Sequence, residues 1–327
     1  MNLLHGHVLD ILPTLDAGSV QTCVTSPPYS GLRDYGTGGV EWPDGWHGEL
    51  GLEPTPELYV EHLVAIFREV RRVLRDDGTL WLNLGDSYAG SGAGGGKNGL
   101  LGKHLESIEI AEYADRPTAK SIPGLKPKDL VGIPWLVAFA LQADGWWLRS
   151  DIIWAKPAPM PESVRDRPTR AHEYIFLLSK SARYFYDLEA VREEPKPWNG
   201  GACAAPDAAR KKMGDEGYTQ NYRQYDEIKG ANRRSVWTLN THPFPEAHFA
   251  TFPPKLPELC IKAGSAEGDV VLDPFIGSGT VGMVAEKLGR RWIGIDANAE
   301  YLEIAKRRLA QPTLWVKRDD EQIAPTP

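Results

Sequence analysis

Cysteine is scarce. Cys23, Cys203 and Cys260 are the only three in 327 residues, and no two share a redox or metal-binding spacing. That excludes a disulfide framework, argues against a zinc site, and fits a reducing cytosol. No metal-ligating set is expected. Long apolar runs are missing too, and no window approaches the roughly 20 residues needed to span a bilayer. The opening MNLLHGHVLDILPTL has neither a basic leader nor a long apolar block, so no signal peptide and no membrane partner are expected. Positive charge is in deficit. Lys and Arg number 37 against 44 Asp and Glu, a net charge of -7. A nucleic-acid binder is usually basic, so such a role needs a local basic surface. The glycine-rich SYAGSGAGGGKNG lacks the Gly-Lys-Ser/Thr ending of a phosphate loop. With the polar stretch up to about Lys126 it reads as a mobile insertion over about 86–126.

What remains is an alternation of strand and helix patterns. SVQTCVTS reads as a buried strand, PELYVEHLVAIFREVRRVL as a helix, and RDDGTLWLNLGD as a turn and strand. KDLVGIPWLVAFALQADG reads as a helix with a glycine stop. WWLRSDIIWAK and HEYIFLLSK read as strands, and PPKLPELCIKAG as a helix opened by prolines. GDVVLDPFIGSGTVGMVAEKLGRRWIGIDANAEYLEIAKRRLA follows as strand, glycine turn, helix, strand, helix. No internal repeat is visible. The pattern predicts an α/β fold with a doubly wound, mostly parallel sheet.

Two stretches carry chemistry. VTSPPYSG stops a strand on two prolines, which cannot donate to a ladder. Alone, this is either a stiff corner or the rim of a site. In VVLDPFIGSGT, Asp273 closes a strand, Gly277 and Gly279 occupy the turn, and Thr280 opens a helix. Such glycines let backbone approach a ligand, and the helix start offers free N–H donors. Asp296 closes the next strand about 20 residues on, where an acid usually binds ribose hydroxyls. Gly277 to Gly282 formally matches the dinucleotide fingerprint, so a nicotinamide oxidoreductase is one alternative. Asp273, however, would repel a pyrophosphate. It suits a cofactor with a cationic end, such as S-adenosyl-L-methionine, which has an ammonium and a sulfonium and no phosphate. A local basic surface also exists. Between Arg210 and Arg234, seven basic residues (Arg210, Lys211, Lys212, Arg223, Lys229, Arg233 and Arg234) face four acidic ones, interleaved with Tyr218, Tyr222 and Tyr225. A solvated loop would read the same way.

Together the two motifs resemble those of the β-group amino-methylating DNA methyltransferases, in which the catalytic motif precedes the cofactor motif. The family's Asp/Asn/Ser-Pro-Pro-Tyr/Phe is matched by Ser26, Pro27, Pro28 and Tyr29. Its Asp-Pro-Phe-x-Gly-Ser-Gly-Thr is matched by Asp273, Pro274, Phe275, Gly277, Ser278, Gly279 and Thr280, and its second-strand acid by Asp296. One departure is Gly6-His7, where family members often carry Gly-Asp, so His7 is not counted as a site residue.

The resemblance implies a Rossmann-like methyltransferase fold with S-adenosyl-L-methionine as cofactor and double-stranded DNA as substrate. It implies a catalytic half over 1–195, a target-recognition segment over 196–235, a cofactor half over 236–312 and a tail over 313–327. A cognate restriction endonuclease is an expected companion, in the cytoplasm of a prokaryotic or phage-infected cell, with the chain a monomer or homodimer. Arg210, Lys211, Lys212, Arg223, Arg233 and Arg234 are the candidate DNA contacts. Serine at the first motif position leans toward the N4 of cytosine, with the N6 of adenine as alternative. The carbon-5 cytosine reaction is disfavoured, because no cysteine follows a proline. A non-catalytic nucleic-acid binder would keep the fold without needing both motifs.

Overall fold

A computed structural model of the chain describes residues 2–31, 38–90, 122, 124–193, 230–241 and 252–310. Most of the glycine-rich insertion, most of the recognition segment with Arg210, Lys211, Lys212 and Arg223, Cys203, and the C-terminal tail lie outside the described residues. In chain order the strands are β1 (Asn2–His5), β2 (Val20–Thr25), β3 (Val40–Glu41), β4 (His47–Gly48), β5 (Leu74–Leu84), β6 (Trp147–Ala155), β7 (His172–Ser179), β8 (Val236–Thr238), β9 (Val270–Asp273) and β10 (Arg291–Asp296). The α-helices are α1 (Val8–Ile11), α2 (Pro56–Val73), α3 (Ile133–Ala143), α4 (Lys255–Gly264), α5 (Thr280–Lys287) and α6 (Ala299–Leu309).

Eight strands form one sheet in the order β1-β10-β9-β2-β5-β7-β6-β8, and β3 and β4 form a separate hairpin. Pairing is parallel from β1 across to β5 and again between β6 and β8, while β7 runs antiparallel to both neighbours. All six residues of β2 are buried, as a central parallel strand covered on both faces requires. Its polar Thr22 bonds Thr79 across the ladder, Oγ1 to Oγ1 at 3.0 Å.

The two faces of the sheet carry separate cores. On one face α2 buries Tyr59, Leu63, Ile66, Phe67 and Val70 at helical spacing, beside Val137, Ala138 and Leu141 of α3. Thr55 caps α2 by accepting from the Leu58 N–H at 3.3 Å, and Pro56 takes the first turn, where its missing N–H costs nothing. On the other face Leu256, Leu259 and Cys260 of α4 pack with Val281, Val284 and Ala285 of α5 and Leu302 of α6. Helices on both faces make the sheet doubly wound.

Two local expectations shift. The turn expected at Arg75–Gly78 is a bulge inside β5: the partner of β2 jumps from Leu74 to Thr79 while β2 advances from Val20 to Thr22. The helix expected from Lys128 starts only at Ile133. Asp86 Oδ1 accepts the N–H groups of Gly132 and Ile133 at 2.8 and 3.0 Å and pins the helix start there. Residues just before it pair instead with Ser87 and Ala89. Gly145, at φ 101°, supplies the expected stop.

Candidate active site

The two motifs are 248 residues apart along the chain but end adjacent parallel strands. Thr22 and Cys23 of β2 pair with Val271 and Leu272 of β9, so both strands point the same way and finish together. Ligands of open α/β sheets bind beyond such strand ends. Here the Thr25 hydroxyl donates to Asp273 Oδ1 at 2.7 Å and joins the motifs directly. Ser26, Pro27, Pro28 and Tyr29 follow at once and line a cleft of about 560 Å³. Asp273, Pro274, Phe275, Gly277, Ser278, Thr280 and Asp296 line the same cleft.

The glycine turn is built as its residues require. Gly277 and Gly279 take φ of 50° and 82°, in the left-handed region that glycine enters without strain. Gly282 lets α5 close on β10, where a Cβ would sit 3.0 Å from the Trp292 ring. Asp296 accepts from the Gly277 N–H at 2.9 Å on one oxygen and from the Asn298 N–H at 2.8 Å on the other. Each oxygen keeps a second lone pair for a ligand hydroxyl.

The two carboxylates share a low-dielectric wall. Burial pushes the Asp273 carboxyl up to about 7, partly offset by the Thr25 hydroxyl and the Phe275 N–H, and the Asp296 charge adds to the rise. Burial also raises Asp296, against its two backbone donors. Two acids held above their ordinary range favour a cationic ligand, whose charge replaces the missing solvation. This fits an adenosine-type cofactor with an ammonium and a sulfonium.

Ser278 and Thr280 line the cleft and are also held by a buried arginine. Arg308, itself buried, donates to Ser278 Oγ at 3.0 Å, to the Ser278 carbonyl at 3.3 Å and to Thr280 Oγ1 at 2.8 Å. Both hydroxyls brace the turn from behind.

The proline rim is equally fixed. The Tyr59 hydroxyl donates to the Pro28 carbonyl at 2.8 Å. Tyr29 stands over Gly85, where a Cβ would come within 2.5 Å of its ring. Its hydroxyl donates to Glu173 Oε2 at 2.8 Å and lies 3.2 Å from Ser26 Oγ. Burial and the neighbouring Glu173 charge push the Tyr29 phenol up.

Glu173 lines the cleft, although no sequence motif points to it. Its one signal is an acid at the start of the otherwise apolar strand HEYIFLLSK. His7, not counted as a site residue from the sequence, also lines the cleft, and burial lowers its pKa. The candidate DNA contacts that are described lie elsewhere. Arg233 donates to the Val191 carbonyl at 2.8 Å, and the exposed Arg234 pairs with Glu193. Among the described residues no group of His, Cys, Asp and Glu could hold a metal ion, and no helix is long and apolar enough to cross a membrane.

Fold and cleft define a class: a Rossmann-like, doubly wound α/β protein whose glycine turn and proline rim open into one cleft. A family model described as DNA methylase, for N6 and N4 methyltransferases, matches residues 20–307. Type II methyltransferases are similar over 307 residues, or 94% of this chain. M.Cfr9I of Citrobacter freundii is 48% identical with 87% of its own length covered, and M.SmaI of Serratia marcescens 45% with 90% covered. Among solved structures, the PvuII DNA methyltransferase (cytosine-N4-specific) gives a TM-score of 0.59 at 19% identity, over 94% of this chain and 85% of that one. TTHA0409 of Thermus thermophilus, solved with S-adenosyl-L-methionine, gives 0.55 at 21% identity, over 96% and 95%.

The chain belongs to the DNA methylase family of N6 and N4 methyltransferases. It is a site-specific DNA methyltransferase, and the methyl donor of its family is S-adenosyl-L-methionine.

Proposed function

We propose that the chain methylates the exocyclic N4 of cytosine in a base extruded from duplex DNA. The observation that carries this reading is the shared cleft. An acceptor rim that begins with Ser26 and a cofactor turn that begins with Asp273 open into one cavity from adjacent strands. A base amine inside an intact duplex is out of reach, so the target leaves the stack.

Asp296 would hold ribose hydroxyls, Asp273 would face the cationic end, and the backbone of Gly277 to Gly279 would approach the cofactor closely. When bound, the cofactor supplies a methyl group on a sulfonium. The chain's own task is to make the amine nucleophilic, because its lone pair is delocalised into the ring. Ser26 Oγ and a backbone carbonyl each accept one amine N–H and favour a pyramidal nitrogen. The second acceptor is assigned to the Pro27 carbonyl, beside the Pro28 carbonyl that takes the Tyr59 hydroxyl. Proline stiffness keeps both acceptors in place before the base arrives, which is electrostatic preorganisation. Tyr29 offers the base an aromatic wall.

Ser26 as the leading motif residue supports cytosine. The N6 of adenine presents the same two N–H groups and is the competing reading. The segment 196–235, between catalytic and cofactor halves, is proposed to read the target sequence, with Arg210, Lys211, Lys212 and Arg223 on phosphates. A type II restriction endonuclease is the proposed companion, in the cytoplasm.

The test has two parts. Methylated duplex DNA, digested to nucleosides and weighed, should yield N4-methylcytosine; N6-methyladenine would replace cytosine but keep the mechanism. Ser26→Ala should bind cofactor and DNA nearly as before and slow turnover about 100- to 1000-fold. A fully active variant would refute the two-acceptor rim.

A further inference from the structure

Ser26 is a hydroxyl, and a hydroxyl can donate as well as accept. An acceptor rim needs it to accept only. Nothing in Ser26 itself enforces that, but its neighbours do.

Three donors converge on Glu173. Lys156 Nζ ion-pairs with Oε1, while Asn83 Nδ2 at 3.1 Å and the Tyr29 hydroxyl at 2.8 Å both donate to Oε2. The Asn83 amide is itself fixed, because its nitrogen also donates to the Tyr174 carbonyl at 3.1 Å. Both members of the ion pair are largely shielded, Lys156 at 20% and Glu173 at 16% exposure. With a donor on one oxygen and two on the other, Glu173 serves these three neighbours as an acceptor. Tyr29 has one proton, and it goes to Glu173. Toward Ser26, 3.2 Å away, the Tyr29 oxygen can then only accept. Ser26 must give it the hydroxyl proton and is left with lone pairs alone.

We propose that Glu173 is a positioning residue that sets the polarity of the Ser26–Tyr29 hydroxyl chain, so that Ser26 presents an obligate acceptor to the target base. The proposal rests on the reading that Ser26 faces the target amine. Its consequence is a selectivity filter. A base with an exocyclic amine is accepted, and the same base with a carbonyl at that position meets lone pair against lone pair. Ser26, Tyr29 and Glu173 all line the cleft, so the hydroxyl chain ends where the base would enter.

Glu173→Gln has the same shape and breaks the logic. Its amide must turn an NH2 either toward Lys156, the donor on Oε1, or toward Asn83 and Tyr29, the two donors on Oε2. With the carbonyl kept by the Lys156 ammonium, the NH2 faces Asn83 and Tyr29; the Tyr29 proton swings to Ser26, and Ser26 then points its own proton into the cleft. Tyr29→Phe keeps the ring, cuts the chain and frees the Ser26 hydroxyl to rotate.

The experiment measures binding without cofactor or turnover. The target base is first mapped by sequencing modified bases in DNA from cells expressing the unaltered protein. Absence of any methylated base would overturn the functional reading itself, separately from this proposal. Two duplexes are then compared, one with the mapped base and one with its carbonyl counterpart, uracil for cytosine or hypoxanthine for adenine. Dividing the amine-to-carbonyl affinity ratio of each variant by that of the unaltered protein cancels differences in duplex stability. Reversal of one preorganised hydrogen bond should lower that ratio about tenfold in Glu173→Gln. Tyr29→Phe should lower it in the same direction, and decides alone if Glu173→Gln does not fold. A purely structural role predicts equal weakening on both duplexes. An unchanged ratio in the folded variants would overturn the proposal.

Discussion

Replacing Asp273 by Asn should make the free protein more stable at neutral pH and the enzyme worse. The carboxyl is fully buried and its pKa rises from 3.8 to about 7. The folded state therefore holds a proton more tightly than the unfolded chain does. Stability from this group is fully present below about pH 4 and is lost as pH rises through 7. The interval is worth about 4 kcal/mol, at about 1.4 kcal/mol per pH unit. Asn keeps a carbonyl oxygen for the Thr25 hydroxyl and the Phe275 N–H but carries no charge to desolvate. In thermal unfolding without ligand, the difference between variant and parent should be near zero at about pH 4. It should grow to several degrees in the variant's favour by about pH 8. Cofactor affinity should move the other way. A cation stabilises the ionised form, so the parent should bind S-adenosyl-L-methionine up to about tenfold more weakly per pH unit below about 7. The variant should bind weakly with little dependence on pH. Parallel unfolding curves from about pH 4 to 8 would show that Asp273 is already ionised in the free protein, and the electrostatic account of the cofactor wall would fail.

Asp296→Asn sets an NH2 against one of two backbone N–H groups and removes a charge-assisted acceptor, so calorimetry should show cofactor affinity reduced by on the order of 2–4 kcal/mol; unchanged affinity removes Asp296 from the site. Gly85→Ala drives a Cβ into the Tyr29 ring, with 2.5 Å to its nearest atom. It should cost about 1–3 kcal/mol of stability and slow methylation while leaving cofactor binding intact; normal turnover would mean that Tyr29 need not stand where it does. Alanine at Arg210, Lys211, Lys212 and Arg223 should flatten the salt dependence of DNA binding by about 0.9 in log–log slope for each phosphate no longer neutralised. Because Arg233 and Arg234 already bond Val191 and Glu193, their replacement should change the slope less, and a larger change there would place the DNA path along β8.

Much of the site was legible because it is local in sequence. Ser26 to Tyr29 and Asp273 to Thr280 are contiguous runs whose prolines and glycines dictate backbone shape whatever the rest of the chain does. Strands β2, β5, β6, β7, β9 and β10 and helices α2 to α6 were legible through periodicity, while the short β1, β3, β4, β8 and α1 carry too few residues to show a period. Long-range relations were not legible. Nothing in the spacing of Glu173 ties it to Tyr29, because that contact depends on β7 pairing antiparallel with β5, the neighbour of β2. That Arg308, 28 residues beyond Thr280, holds Ser278 and Thr280 was equally illegible, since a motif names residues without naming what braces them. The start of α3 is illegible because its pattern is apolar from Leu130 onward, while the signal that sets it is the Asp86 carboxylate, distant in the chain.

The bond from Thr25 to Asp273 has a thermodynamic consequence. Thr25 immediately precedes Ser26, so one hydroxyl proton connects the charge of the cofactor wall to the first residue of the rim. A ligand that ionises Asp273 strengthens that bond and steadies the backbone carrying Ser26. Binding free energies are reciprocal, so on the proposed reading of Ser26 and Asp273 a base seated on the rim favours the cofactor by the same factor by which the cofactor favours the base. Thr25→Val, which keeps the shape and deletes the proton, should leave two sites that each still bind but no longer report to one another.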